Sequence, residues 1–216
     1  MGSITTKVYS QLRRDIVISR LKPGERLQIK DWAERFGVSA TPMRDALQML
    51  ANEGLITVRS RTGFYVAQLT LGQLKDMLDL RRILEVAATR RAASRITAEQ
   101  LQELEDVHGP YTGQDPASLE RYMDENRRFH YLLCLASGNR ELADTVGHLM
   151  DRMGRYMVLF GQDEEMAANH ADIADALRRR DGEAAGELIA QHLDLTQDFI
   201  LESVIQNEAQ DWVLTT

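Results

Sequence analysis

The 216-residue sequence lacks the features that mark secreted and membrane-spanning proteins. It contains one cysteine, Cys134, so an internal disulfide is excluded. Because Cys134 lies in the leucine-rich stretch LLCLA, we expect a buried, unreactive thiol rather than a nucleophile. No run of about 20 apolar residues is present, and no charged-then-apolar leader opens the chain. We therefore predict a folded cytoplasmic protein without a membrane span.

Basic residues are outnumbered by acidic ones, 26 against 33, and the formal net charge is −7. This charge by itself argues against a nucleic-acid partner. The distribution is uneven, however. Residues 1–70, the basic segment, hold 11 Lys and Arg against 6 Asp and Glu, a net charge of +5; residues 71–216, the acidic segment, hold 15 against 27, a net charge of −12. Strand-like alternation changes to helical periodicity at residues 67–74. We predict two domains that meet different partners, 1–70 and 71–216.

The basic segment begins with the pattern of two short helices. Apolar periodicity predicts a first helix within residues 6–20. The stretch LKPGERL predicts a turn, and a second helix from Lys30 to Phe36 is expected to end at Gly37.

A third helix and a hairpin complete the basic segment. Thr41 is expected to be the N-cap and Pro42 the first helical residue, and the apolar spacing that follows runs to Gly54. Two short helices joined by a tight turn are typical of a helix-turn-helix, whose second helix enters the DNA major groove. The stretch ITVRSRTGFYVA then predicts two short strands, with Arg59 and Arg61 beside the tip of a DNA-contacting wing.

The start of the third helix and the wing supply the candidate DNA-binding residues. Helix N-terminal N–H groups and basic side chains bind phosphate, whereas polar side chains further along the helix read base edges. The candidates are Thr41, Arg44, Asp45, Gln48, Arg59, Arg61 and Gly63. The alternative is an ordinary helical protein with an arginine-rich turn, and the pattern alone leaves it open.

The span from LKPGERL to ITVRSRTGFYVA resembles the winged helix-turn-helix of the GntR family along nearly all of its length. The shared features are the PG turn, the VS-x-TP-x-R-x-AL core and the GL-x-x-x-R wing. The resemblance implies a double-stranded DNA operator as the partner. Ala40 stands where many members have an arginine, so one common contact to phosphate or base is missing.

The acidic segment shows helical periodicity and no strand pattern. We therefore predict a mainly α fold, in which a winged helix-turn-helix with a small β-hairpin is followed by an all-α helical bundle. Thr97 and Gln100 have the spacing of a capping box, Gly138 and Gly161 are expected to close helices, and Asp181 can cap the last helix. The predicted helices span residues 71–96, 98–108, 117–137, 140–160, 163–179 and 182–206.

Four residues of the acidic segment are candidate metal ligands. Asn126 and His130 lie four apart on one predicted helix face, and His170 and His192 lie on two further helices. Imidazole nitrogens that converge from three helices suit a divalent transition metal. The alternative, which spacing leaves open, is that these are surface or singly bonded core histidines. Two further histidines, His108 and His148, are interpreted in that way.

The acidic segment also resembles the FCD ligand-binding domain of FadR-type GntR regulators. The matching stretches are DLRRILE, NRRFHYLLCLASGN and NHADIADALRRRDGEAAGELIAQHL. For metal-binding members the resemblance implies a divalent ion, Zn²⁺ or Ni²⁺, held by Asn126, His130, His170 and His192. Asn126 offers a neutral carbonyl oxygen instead of a carboxylate, so we expect either a lower metal affinity or a larger contribution of the effector to binding the ion.

The same resemblance points to Arg81, in the R-x-x-LE pattern, as the partner of an effector carboxylate. A guanidinium fork can pair with two carboxylate oxygens while a metal takes another oxygen. The alternative is an exposed helix arginine that pairs with Glu85 at i+4. Arg82 is a weaker choice, and Tyr156 is either a pocket-lining or a core aromatic residue.

These features predict a transcription regulator that is not an enzyme. We expect a homodimeric repressor that binds a palindromic operator and responds to a small organic acid at the metal-centred pocket. Two alternatives stay open. One is a helical metalloenzyme with an appended DNA-binding head, because three histidines and an open coordination position can activate water. The other is a direct metal sensor with no organic ligand.

Overall fold

A computed structural model describes residues 3–107, 116–157 and 164–206. The described residues form two compact units that divide between Leu71 and Gly72, which we call the head unit and the bundle unit. Helices predominate, and a small antiparallel sheet lies in the head unit, which confirms the predicted fold class. Among the helices that the structure describes, none is both long and apolar enough to cross a membrane.

The core of the head unit is built from α1 (Ile4–Val17), α2 (Ile29–Phe36) and α3 (Ala40–Asn52). The side chains that pack between them have the i, i+3, i+4 spacing expected of amphipathic helices. Gly37, in the left-handed conformation at φ 63°, ends α2 as predicted. The buried residues that these helices share include Val8, Leu12, Ile16, Ala33, Met43, Leu47 and Leu50.

The predicted N-cap of α3 was wrong by two positions. Ser39, with extended φ and ψ of −77° and 166°, is the N-cap, so Thr41 and Pro42 are the second and third helical residues. A proline at this position costs no hydrogen bond, because the first-turn N–H groups have no partner within a helix. The correction leaves the first turn of α3 at the surface, where Thr41 is exposed.

The wing is a hairpin of β2 (Ile56–Arg59) and β3 (Gly63–Val66), paired antiparallel with Arg59 opposite Gly63. A third strand that the sequence did not predict, β1 (Arg26–Leu27), pairs with the other edge of β3. It forms because Gly24, at φ 79°, turns the chain so that its N–H donates to the carbonyl of Val66 at 2.9 Å. The LKPGERL segment is therefore both a turn and an edge strand.

The bundle unit follows the predicted helical pattern closely. Thr97 and Gln100 form a capping box, and the Asp181 side chain accepts a hydrogen bond from the Ala184 N–H at 3.0 Å. Gly138, at φ 79°, follows the helix that ends at Ala136, whereas Gly161 lies outside the described residues. The helices are α4 (Leu71–Arg95), α5 (Ala98–Glu105), α6 (Pro116–Ala136), α7 (Arg140–Met157), α8 (Glu164–Arg178) and α9 (Gly182–Gln206).

Candidate functional site

The head unit presents the candidate DNA-binding side chains on one helix and one hairpin. Thr41, Arg44, Asp45 and Gln48 are all exposed on α3, while the apolar side of the same helix is buried. Gln48 donates a hydrogen bond to the side chain of Asn52 at 3.1 Å. Asn52 is thus a polar neighbour on this surface that sequence reasoning missed, although its i+4 spacing from Gln48 could have indicated it.

The wing holds its two arginines in different ways. The Arg59 guanidinium lies over the ring of Tyr65, 4.4 Å from its centroid, a cation–π contact that orients the side chain before DNA is bound. Arg61 is at the turn with φ 67°, a conformation uncommon for a residue with a side chain. Both arginines are exposed, and Gly63 is half-buried at the start of β3. Their roles in binding DNA stay predictions.

Three of the four candidate metal ligands converge in the bundle unit. The side chains of His130, His170 and His192 come from α6, α8 and α9, and their ligand nitrogens all lie within 4.8 Å of one another. The Nε2 atoms of His170 and His192 are 3.3 Å apart. Two nitrogens that bind one tetrahedral ion at about 2.0–2.1 Å are themselves roughly 3.3 Å apart, so this pair already has the spacing of ligands.

Helix geometry explains the convergence. His170 lies eight residues before the end of α8, and His192 lies ten residues after the start of α9, so the two reach a similar height in the α8–α9 hairpin. Asn126 and His130 share one face of α6 at i, i+4 and are 1% and 0% exposed. All three histidines are buried, which contradicts the alternative of surface histidines.

Glu85, which the sequence suggested only as a partner of Arg81, also contacts His130. The Nδ1 atom of His130 lies 2.5 Å from Glu85 Oε2, and the Arg81 Nε–H donates to Glu85 Oε1 at 2.5 Å. Burial by itself would raise the pKa of Glu85, but the Arg81 guanidinium and the His130 imidazole lower it to about 2. Glu85 is therefore ionised near neutral pH and can only accept, which favours the form of His130 with its proton on Nδ1 and with Nε2 as the atom that could bind a metal.

Buried polar atoms that lack hydrogen-bond partners indicate whether the cluster could bind a metal and an anion. Among the described residues, no partner is found for the side-chain oxygen of Asn126 or for either terminal nitrogen of Arg81, although both side chains are buried. Unsatisfied buried groups are costly, so a native protein keeps them where a bound group completes their bonds. Neutral imidazoles and an amide oxygen are suitable donors for Zn²⁺ or Ni²⁺, and the residues therefore fit the implied metal.

Arg81 matches only part of the alternative that the sequence left open, and its role toward an effector carboxylate stays a prediction. It pairs with Glu85 at i+4, but it is 1% exposed and not a surface residue. By contrast, Arg82 lies at the surface and pairs with Asp194 at 2.6 Å. The described contacts of Arg81 occupy Nε only, which leaves the forked end of the guanidinium available to a carboxylate.

An aromatic residue that the sequence did not assign to the site packs against another candidate ligand. The ring of Phe129 stacks on His170 with a centroid separation of 3.9 Å and an interplanar angle of 8°. Phe129 also lies edge-on to His130, with ring centroids 5.5 Å apart, so its ring contacts two of the three histidines. A cavity of about 220 Å³ adjoins this stack, and its lining comprises Leu104, Glu105, Phe129, His170, Ala171, Ala174, Asp175 and Arg178.

The remaining candidates have simpler surroundings. Tyr156 is 4% exposed on α7, a helix that contributes no histidine to the cluster, and its effector role stays a prediction. Cys134 is buried, and burial raises the pKa of its thiol well above the usual value, as expected of an unreactive cysteine. His148 is exposed on α7, and His108 lies outside the described residues.

A winged helix-turn-helix whose recognition helix, α3, exposes polar residues and whose wing is basic is typical of a DNA-binding transcription regulator. The chain matches the family model for bacterial regulatory proteins of the gntR family over residues 4–66 and the FCD domain over residues 76–195. It therefore belongs to the GntR family and carries an FCD domain, which confirms the resemblance.

Relatives of known class agree with this assignment. The HTH-type transcriptional repressor RspR of Escherichia coli K12 is 34% identical over 215 residues, 97% of this chain and 93% of that protein. The Nta operon transcriptional regulator of Aminobacter aminovorans is 30% identical, over 85% of this chain and 88% of that protein. The structure of E. coli McbR/YncC superposes with a TM-score of 0.80 at 27% identity, over 94% of this chain and 99% of that one. These relatives are transcription regulators, which confirms that the chain is not an enzyme.

Proposed function

We propose that this regulator is a homodimeric repressor whose affinity for a palindromic operator is controlled by a small carboxylate bound at a metal-centred pocket of the bundle unit. The observation that carries the proposal is the arrangement around Glu85. Arg81 is buried, and its two terminal nitrogens have no hydrogen-bond partner among the described residues. The carboxylate of Glu85 links it to the cluster of three histidines. Repression is supported by the relative RspR, which is named a repressor.

The charge of the cluster favours an anionic effector. His130, His170 and His192 would hold the ion together with Asn126, and all four are neutral ligands. The charge of Glu85 is already matched by Arg81, so a divalent ion leaves about two positive charges in a buried site. A buried charge is stable only when it is paired. When bound, the metal would supply an electrophilic centre for one carboxylate oxygen, and Arg81 would donate to the anion from its forked end.

Control of DNA binding then requires coupling between two sites. An effector that binds more tightly to one arrangement of the dimer shifts the population toward that arrangement and so changes operator affinity. A coupling of about 1–3 kcal/mol, which is common in regulators, corresponds to a change of roughly 5- to 150-fold.

Replacing Arg81 by lysine tests the anion site. Lysine keeps the positive charge beside Glu85 but cannot offer paired nitrogens, so carboxylate binding should weaken about 10-fold or more while metal content stays unchanged. The measurement is a thermal-shift screen of organic acids on zinc-loaded protein, with Arg82→Lys as the matched control on the same helix. Equal responses of the wild type and Arg81→Lys to every acid that stabilises the wild type would refute this role.

The homodimer has its own test. A single recognition helix covers too few base pairs for useful specificity in a genome, whereas a two-fold dimer reads two half-sites. Sedimentation of the full chain with a duplex that it selects from a random library should give two chains per duplex. A stable complex of one chain per duplex at saturating protein would contradict the dimer.

A further inference from the structure

Glu85 contacts both halves of the proposed pocket, the histidine cluster and Arg81. Its Oε2 lies 2.5 Å from His130 Nδ1, and its Oε1 accepts from Arg81 Nε at 2.5 Å. All three side chains are at most 1% exposed, so these bonds are shielded from bulk solvent. Glu85 and Arg81 are on α4, and His130 is on α6, so the carboxylate also joins two helices.

We propose that Glu85 is a positioning residue that couples metal binding to anion binding, because one carboxylate fixes both the tautomer of His130 and the orientation of Arg81. This inference rests on the proposed metal-centred pocket. Glu85 touches neither the ion nor the anion; it acts through the two side chains that do.

The two oxygens of Glu85 perform different tasks. The bond to Nδ1 holds the imidazole in the form whose Nε2 lone pair is available to a metal, and such supporting bonds are worth about 10- to 100-fold in metal affinity. The bond to Nε leaves the terminal nitrogens of Arg81 for an incoming carboxylate. With a metal bound at Nε2, the Nδ1–H of His130 would be a stronger donor to Glu85, and the hold of Glu85 on Arg81 would weaken. Arg81 would then be a stronger partner for the anion, and linkage requires the reverse effect to be equal.

Glutamine at position 85 should break this arrangement without changing the volume of the side chain. Its amide oxygen can accept from only one side, and its NH₂ group then faces a donor on the other side. Asp194→Asn is a matched control, because Asp194 also pairs with an arginine of α4 but at the surface. Should Glu85→Gln fail to fold, Glu85→Asp replaces it with the same expectations, since the shorter carboxylate cannot reach Arg81 and His130 together.

The tautomer of His130 can be read directly by long-range ¹H–¹⁵N correlation NMR on the metal-free full-length protein. We expect a single form with the proton on Nδ1 in the wild type and in Asp194→Asn, and a mixture of both forms in Glu85→Gln. Wild-type protein with the proton on Nε2, or a variant with an unchanged tautomer, would overturn the proposal. This readout needs neither metal nor effector.

Coupling is measured by titrating Co²⁺, followed through its d–d absorption, with and without acetate at constant ionic strength. In the wild type, acetate should raise Co²⁺ affinity at least about 3-fold; in Glu85→Gln, Co²⁺ affinity should fall about 10- to 100-fold and the acetate effect should shrink by half or more. Wild-type Co²⁺ affinity and an undiminished acetate effect in the variant would overturn the inference alone. Absence of Co²⁺ binding by the wild type would instead overturn the proposed function.

Discussion

Purified protein in which His130 or His170 is replaced by alanine should hold almost no divalent metal after zinc is supplied, whereas the wild type should hold one ion per chain. Each substitution removes one of three nitrogens that lie within 4.8 Å of one another. The loss should exceed about 100-fold in affinity, because removing even an outer supporting group costs about 10- to 100-fold. Elemental analysis after dialysis measures the occupancy.

His148→Ala is the matched control, because His148 is exposed on α7 and outside the cluster. It should retain the metal content of the wild type. Because the three histidines come from separate helices, loss of the metal should loosen the bundle unit. The alanine variants should therefore weaken the response to effector more than basal operator binding. Equal metal content in the wild type and both cluster variants, with the effector response intact, would show that these histidines are ordinary packing residues.

Replacing Arg44 by alanine should lower the affinity for a selected operator by about 1–3 kcal/mol, roughly 5- to 150-fold, if the side chain reads a base. Arg44 is exposed near the start of α3, whereas Met43 and Leu47 of the same helix are buried. Titrations by fluorescence anisotropy against specific and random duplexes separate base reading from phosphate contact, because a phosphate contact weakens both duplexes alike.

Arg20→Ala makes the same change of charge at an exposed arginine that pairs with Asp15 at 3.3 Å, and it serves as the control. The wing variants Arg59→Ala and Arg61→Ala should each reduce the salt dependence of binding by about one unit of slope if they contact phosphate. Folded protein in which Arg44, Arg59 and Arg61 can all be replaced without loss of affinity would exclude this surface from DNA binding.

Local patterns were sufficient to predict most of the helices. The end of α2 at Gly37 and the Asp181 cap both depend on neighbours within a few residues, and both are present. Strand β1 could not be predicted in this way. A two-residue strand has no periodicity of its own and exists only because β3, nearly 40 residues later, provides its hydrogen-bond partners.

The candidate site shows the same division between local and non-local information. The i, i+4 spacing of Asn126 and His130 is visible in the sequence, and the resemblance to FCD domains indicated the other two histidines. The contact of Glu85 with the histidine cluster was missed because only its local contact, to Arg81, can be inferred from spacing. Its other contact crosses to His130, 45 residues away, and no sequence pattern links the two. The Phe129–His170 stack is likewise a tertiary contact between α6 and α8.

The most direct test of metal-dependent control compares operator affinity in zinc-loaded and chelator-stripped full-length protein, with and without the carboxylate that gives the largest thermal shift. The duplex is one that the protein selects from a random library. In zinc-loaded protein the carboxylate should change operator affinity about 5- to 150-fold, and in stripped protein it should change affinity less than about 2-fold. An equal effect in both forms, or none in either, would contradict control of DNA binding through a metal-centred pocket.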